Sequence, residues 1–217
     1  MEPRLRKSGR FLLACECAFI FLLIPTLGFI YQSRLSVVLG LLAMSAYAAF
    51  VLHKMPGFSW HENWQGRRLS KREFKIIGAR FLVSTLGVLL LAYCYAPDKL
   101  FAFPAQRPVV WLLVMLLYPF ASALPQEILF RSFFFRRYAR LFHKKGSMLL
   151  ASAFAFGYVH IVFGNPIAPL LSLICGYYLA SSYFTHHSLK KVTIEHAFYG
   201  NMVFTIGLGY YFITHTI

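Results

Sequence analysis

Seven stretches of the chain are almost free of charge, roughly residues 11–31, 35–53, 76–96, 108–125, 146–163, 167–185 and 192–215. Each is about as long as the ~20 apolar residues that a helix needs to cross the ~30 Å hydrocarbon layer of a bilayer. In lipid, every backbone N–H and C=O must find its partner inside the segment or in a closed barrel. The pattern therefore predicts an all-α, polytopic transmembrane bundle of seven helices, or eight if 108–142 divides at Pro125. The segment 126–142 is less uniform, mixing Phe and Leu with Arg136, Arg137 and Arg140. It reads as a continuation of the fourth helix to the membrane surface or as an amphipathic extension.

Charge placement orients these runs. Basic residues gather in the tail (Arg4, Arg6, Lys7, Arg10), in 54–75 (Lys54, Arg67, Arg68, Lys71, Arg72, Lys75), in 136–145 (with Lys144 and Lys145) and at Lys190 and Lys191. The alternate connections are poor, with Arg34, then Lys99 and Arg107, then none in 164–166. Because Lys and Arg are retained on the cytoplasmic side, this alternation predicts an inside N-terminus and an outside C-terminus in the cell membrane. The run 11–31 spans the bilayer and no small-residue cleavage site follows it, so it reads as an uncleaved first helix.

Composition agrees. Of 217 residues, 59% are hydrophobic and 13% charged, against about half and a quarter in soluble domains. The net charge of +15 is topological: the basic clusters lack the aromatic interleaving of a nucleic-acid face. No polar linker splits the chain, so 1–217 reads as a single membrane domain, with helices 1–107 ahead of a motif-bearing core, 108–217. Cys15, Cys17, Cys94 and Cys175 lie in apolar runs and read as small buried hydrophobes. His186 and His187 lie in a basic connection and read as surface residues. A structural pair between Glu16 and Arg80 is expected across helices.

Of seven carboxylates, Glu16, Glu127 and Glu195 lie in or beside spans. A charge at the centre of a span costs on the order of 2.5–3.5 kcal/mol on insertion scales, so such residues face the bundle interior and are paired or functional. Glu127 and Arg131 stand one helical turn apart and can pair. The stretch FGYVH puts Phe156 and His160 on one face, and EHAFYGN puts Glu195 beside His196. Gly200, one turn after His196, permits close approach of a helix or ligand. Asn201 flanks the His196 face. If 126–142 and 146–163 form an antiparallel hairpin about the polar turn His143–Gly146, Glu127 and His160 each lie ~24 Å of helix rise from it. They then share a depth, where an acid and an imidazole can hold one water. His196 fits less well, being close to Lys190 and Lys191 and so nearer the cytoplasmic face. A helix that begins before Lys190, with snorkelling lysines, reconciles this.

These three features, in this order, resemble the CPBP family of intramembrane proteases, which includes enzymes that trim prenylated CaaX proteins and relatives linked to bacteriocin immunity. The family pattern is Glu-Glu-x-x-x-Arg, then Phe-x-x-x-His, then a His with Asn at the fourth position. Here the first reads Gln126-Glu127-Ile128-Leu129-Phe130-Arg131, the second is intact from Phe156 to His160, and the third has Gly200 at the fourth position and Asn201 beyond it. The similarity covers about 108–215. It implies an endopeptidase that hydrolyses a peptide bond of a membrane-associated protein. In the family the first Glu and the first His activate the attacking water, and the second His with the Asn steadies the oxyanion. Carried onto this chain, with the helix rotated or kinked at Pro125, Glu127 is expected as general base, His160 as the group that orients the water, and His196 with Asn201 at the oxyanion. Arg131 and Gln126 support Glu127, and Glu195 is a substitute acid. Gln126 stands at the family's first Glu and cannot accept a proton. The alternative is therefore an inactive member that acts as a membrane scaffold or binder.

There is no His-Glu-x-x-His, so no metal is expected, although Glu127, His160 and His196 nominally make a three-ligand zinc set. The expected partners are a membrane-embedded or membrane-delivered peptide and the bilayer, without nucleic acid. A prenylated tail, a leader peptide and a sorting-signal protein all remain compatible. A small transporter is disfavoured by the lack of an inverted repeat.

Overall fold

The computed structural model describes residues 7–31, 34–142 and 144–213. Arg4, Arg6 and His143 lie outside them. Among the described residues there is no strand, and six helices are long and apolar enough to cross a membrane: α1 (Ser8–Ile30), α2 (Val37–Lys54), α3 (Lys71–Tyr95), α4 (Pro108–Arg137), α5 (Lys145–Phe163) and α6 (Ile167–His186). The last apolar run forms α7 (Leu189–Ile206), followed by a 3₁₀ turn, Leu208–Phe212. The all-α polytopic bundle stands as expected, and 126–137 continues the fourth helix.

Local sequence sets the helix ends. Ser70 and Glu73 close a reciprocal cap at the start of α3, with Glu73 N donating to Ser70 Oγ (3.2 Å) and Ser70 N to Glu73 Oε2 (2.8 Å). Ser188 caps α7 by accepting from Lys191 N (3.3 Å). Inside α1 and α4 the winding loosens to π turns at Phe19–Leu23 and Pro119–Ala123. Each ends two residues before a proline, Pro25 and Pro125. Proline lacks the N–H for the i−4 carbonyl and its ring crowds it, and a wider turn relieves both. A further π turn, Ile128–Phe133, follows Glu127. The one α-turn that carries Gln126 and Glu127 is thus flanked by wide turns.

The second half of α4 is the axis of the bundle. Its Phe130, Phe133 and Phe134 pack with Phe21 of α1, Leu52 of α2 and Phe156 of α5. A second cluster joins Val88 and Ala92 of α3, Leu179 and Tyr183 of α6, and Val192, Tyr199 and Met202 of α7. Outward-facing Phe50, Leu86, Leu116, Phe120 and Phe198 are exposed, as expected of side chains that meet lipid. Cys15 and Cys94 are exposed too, which corrects their reading as buried; Cys17 and Cys175 are half-buried.

α5 and α6 meet through small residues. A Cβ added at Gly157 would lie 2.9 Å from Leu173 Cβ, and one at Gly176 would lie 3.2 Å from the Ala153 carbonyl. Such close approach replaces the hydrophobic drive that helices lack in lipid. Gly157→Val is therefore expected to cost about 1–3 kcal/mol by overpacking. It should lower the thermal unfolding midpoint in detergent, whereas Gly78→Val, with nothing near its Cβ, should not.

The basic connections gather at one end of the bundle. Arg67 Nε donates to the Thr185 carbonyl (3.0 Å), Arg136 to the Pro56 carbonyl (3.1 Å), and Lys191 Nζ to the carbonyls of Gln65 (2.7 Å) and Arg67 (2.8 Å). At the opposite end Asp98, held below the usual carboxylate range by its hydrogen bond to Lys99, sits in the loop that Gly207 packs against. Two expectations are corrected. His186 is buried, its Nδ1 accepting from Ser188 N (3.1 Å); only His187 is exposed. Glu16 pairs with Arg137 (2.7 Å) and accepts from Tyr138 (3.1 Å), while Arg80 lies over the Tyr178 ring. α1 delivers Glu16 to the end of α4 and not to α3.

Candidate active site

α4, α5 and α7 bring the three motif segments together. Glu127 is fully buried. Its Oε1 accepts from His196 Nδ1 at 2.8 Å, and its Oε2 lies 3.2 Å from Arg131 Nε. The second contact is an ion pair without a formed hydrogen bond, since the Arg131 N–H is not aimed at the oxygen. Arg131 is itself wholly buried and is held by the Phe130 and Gly176 carbonyls, by the Ser152 hydroxyl and over the Phe156 ring. Guanidinium stays charged, so Glu127 is in contact with a fixed, wholly buried cation.

His196 is bridged. With Nδ1 on the Glu127 carboxylate, its Nε2 meets the Tyr118 hydroxyl at 3.0 Å. Tyr118 fits there because residue 200 is glycine: a Cβ at Gly200 would lie 2.2 Å from the Tyr118 ring. The close approach that Gly200 was expected to permit is made by this ring.

His160 opens the last turn of α5, where the chain tightens into a 3₁₀ turn before Gly164. Its Nδ1 lies 2.6 Å from the Phe156 carbonyl. A carbonyl only accepts, so Nδ1 carries the hydrogen, and in the neutral ring Nε2 is a bare acceptor. The Phe156 ring stands between the two imidazoles, 4.9 Å from His160 and 5.4 Å from His196. Phe130 packs on Phe156, and Arg131 on Ser152, so α4 and α5 run antiparallel as the hairpin reading requires. Glu127 and His160 nevertheless do not meet by any hydrogen bond among the described residues.

A cavity of about 530 Å³ opens beside these groups, lined by Tyr118, Ser122, Gln126, His160 and His196 among mostly apolar side chains. Its rim between α3 and α6 carries Val83, Leu170 and Ile174, of which Val83 and Leu170 are more than half exposed. Glu127 does not line it; Gln126 does, donating from Nε2 to Ser122 Oγ at 2.8 Å. The two neighbours point apart, as the ~100° step of a helix demands, and the wide turns around them leave that unchanged. Asn201 is also away from the cavity, with its amide given to the Met115 carbonyl (3.3 Å) and its Oδ1 buried. Glu195 is buried beside His196 but outside the lining.

The depth of His196 has a simple cause. α7 begins inside the protein, where Ser188 and Leu189 are buried. The short helix Trp60–Gln65 covers that end, with the Trp64 carbonyl accepting from Ser188 Oγ at 2.9 Å. Sequence reasoning passed over Tyr118 and Ser122. The only signal was a polar-tipped aromatic before Pro119, two turns ahead of Gln126. Among the described residues no three His, Cys, Asp or Glu side chains converge as a metal-binding set.

Residues 108–212 match the family described as type II CAAX prenyl endopeptidase Rce1-like. No curated protein and no solved structure matches the chain. The matched segment contains all three motifs, and over it the chain is similar to the Rce1-like family of CAAX prenyl endopeptidases.

Proposed function

We propose that this Rce1-like chain is an intramembrane endopeptidase in which Glu127 works through His196 and the water is deprotonated by His160. The observation that carries the reading is the 2.8 Å contact between Glu127 and His196, backed by Arg131. A carboxylate on Nδ1 fixes the imidazole's tautomer and stabilises its protonated form. That is an arrangement for chemistry at Nε2, on the cavity side.

Gln126 and His160 form the water-holding half. The Gln126 amide nitrogen is committed to Ser122, which leaves its carbonyl oxygen to accept one water hydrogen. His160 Nε2 takes the other as a proton. The water oxygen attacks the scissile carbonyl carbon, and the carbonyl π electrons move to its oxygen. Positive charge on His196, stabilised by Glu127, opposes that oxyanion, a term commonly worth ~3–4 kcal/mol. Collapse breaks the C–N bond, and the proton on His160 leaves with the amine. Gln126 thus orients without accepting the proton.

The substrate enters as a membrane-embedded or membrane-delivered peptide between α3 and α6, where the cavity rim faces lipid. The basic end of the bundle lies in the cytoplasm, with the N-terminus on that side. No metal takes part, because Glu127 is committed to Arg131 and His196. Gln126 at the water position also favours a second reading, a binder that holds such a peptide without cutting it.

One comparison separates the two. The termini of membrane proteins are mapped in cells carrying the protein and in cells carrying His196→Ala at equal abundance. His196→Ala leaves the Glu127–Arg131 pair intact and should fold. Termini that need the intact protein, and that persist in purified protein treated with a chelator, are expected. Identical termini in both cells would leave only the binder.

A further inference from the structure

We infer that Tyr118 is a catalytic residue of this site, supplying the hydrogen bond that holds the oxyanion. The inference rests on the hydrolytic reading above and names a group that the sequence motifs do not contain. It starts from a missing donor. Asn201, the amide expected to help steady the oxyanion, gives its N–H to the Met115 carbonyl and does not line the cavity. Glu127 is wholly buried behind His196. The side chain that does reach the cavity at His196 is the Tyr118 phenol, 3.0 Å from Nε2.

The fit is built from two helices. A Cβ on residue 200 would lie 2.4 Å from the phenol oxygen and 2.2 Å from the ring. Gly200 and Tyr118 therefore occupy one volume between them: a side chain at 200 excludes the phenol, and the phenol requires glycine at 200. Gly200 lies one turn after His196, so any side chain there would emerge beside the same Nε2. The phenol hydroxyl fills the place of a polar group that α7 itself does not supply. Phe204 packs on the ring at 5.7 Å and Phe156 on the His196 ring at 5.4 Å, which leaves the pair little freedom to turn.

The proton arrangement follows from the partners. Nδ1–H donates to Glu127, so neutral His196 has a bare Nε2 and the phenol donates to it. In protonated His196, held by the Glu127 carboxylate, Nε2–H donates to the phenol oxygen instead. The phenol hydrogen is then free to donate to the oxyanion as it forms. His196 enters the cycle already protonated by solvent, as its Glu127 partner favours, so no proton moves through this pair during the attack. Nε2–H keeps donating to the phenol oxygen while the phenol hydrogen forms one new hydrogen bond to the oxyanion. The positive charge of His196 reaches the substrate oxygen through Tyr118.

The test uses a peptide found by the terminus mapping, with the full chain in lipid vesicles. Tyr118→Phe keeps the ring in the Gly200 notch and removes only the hydroxyl. It should lower kcat about 10²-fold, as loss of an oxyanion donor does, with KM within about threefold. Tyr118→Ala should be at least as slow, and Tyr118→Ala with Gly200→Asn should regain about tenfold in kcat, since an amide then replaces the phenol. A purely packing role would move neither kcat in Tyr118→Phe nor the rescue. Wild-type kcat in Tyr118→Phe, or a loss carried by KM alone, overturns the assignment while hydrolysis stands. Absence of hydrolysis by the wild-type protein overturns the hydrolytic reading and this inference with it.

Discussion

Glu127→Ala is expected to fail first as a folded protein, losing about 3–5 kcal/mol, the cost of leaving one half of a buried ion pair alone. Native proteins hold only about 5–15 kcal/mol in reserve, and Arg131 has no exposed surface through which to find water. Glu127→Gln keeps the shape and an acceptor for His196 Nδ1, but it also strands the Arg131 charge. The informative variant removes both charges. Glu127→Gln with Arg131→Met replaces the pair by groups of similar volume, a change that is often neutral. It should unfold within a few degrees of wild type in detergent. Its turnover should stay down by about 10²–10³, the usual effect of losing an oxyanion-stabilising group. If the double variant regained full turnover along with its stability, Glu127 would be a structural residue only.

How much of this could be read from the sequence differs by element. The spans were legible because hydrocarbon imposes one rule on every run of about twenty residues; α1, α2, α3, α5 and α6 start and stop within about five residues of their apolar runs, whereas α4 runs on to Arg137 and α7 stops at Ile206. The helix containing Gln126 was legible as a continuation beyond Pro125. Its π turns were not, because they depend on how proline's missing N–H is accommodated among neighbours such as Ser45, whose hydroxyl donates to the Pro125 carbonyl at 2.8 Å.

The motif residues were legible as a set, whereas their partners were not. An expectation that Glu127 meets His160 follows from equal depth on two helices, but depth says nothing of direction. Gln126 took the cavity side and Glu127 the side of α7. His196 looked too shallow because position along a chain was equated with distance from the surface. The helix Trp60–Gln65 and the Lys191 ammonium on the Gln65 and Arg67 carbonyls bury the start of α7. Likewise His186 looked exposed among lysines, yet the Gly66 turn, with Arg67 N donating to the His186 carbonyl at 2.9 Å, covers it. Long-range pairings of this kind leave no periodic trace.

His160→Ala is expected to give the largest kinetic loss, about 10²–10⁴-fold, since removal of a positioned base forfeits that much. The fold should tolerate it better than it tolerates Glu127→Ala. His160 is neutral in this reading, and its hydrogen bond runs to the Phe156 carbonyl of its own helix. The lost ring leaves a space among Phe156, Phe163 and Phe212 that free imidazole can enter. Added imidazole should therefore recover part of the turnover of His160→Ala and none of that of the Glu127→Gln, Arg131→Met variant, whose base is intact. Gln126→Ala supplies the complementary measurement. If Gln126 only accepts a hydrogen bond from the water, its loss should cost about tenfold, the scale of one ordinary hydrogen bond, well short of the loss at His160. A Gln126 effect as large as that of His160, with no imidazole rescue of His160→Ala, would move the proton-accepting step away from the imidazole. The chemistry would then have to begin from another group on the cavity wall.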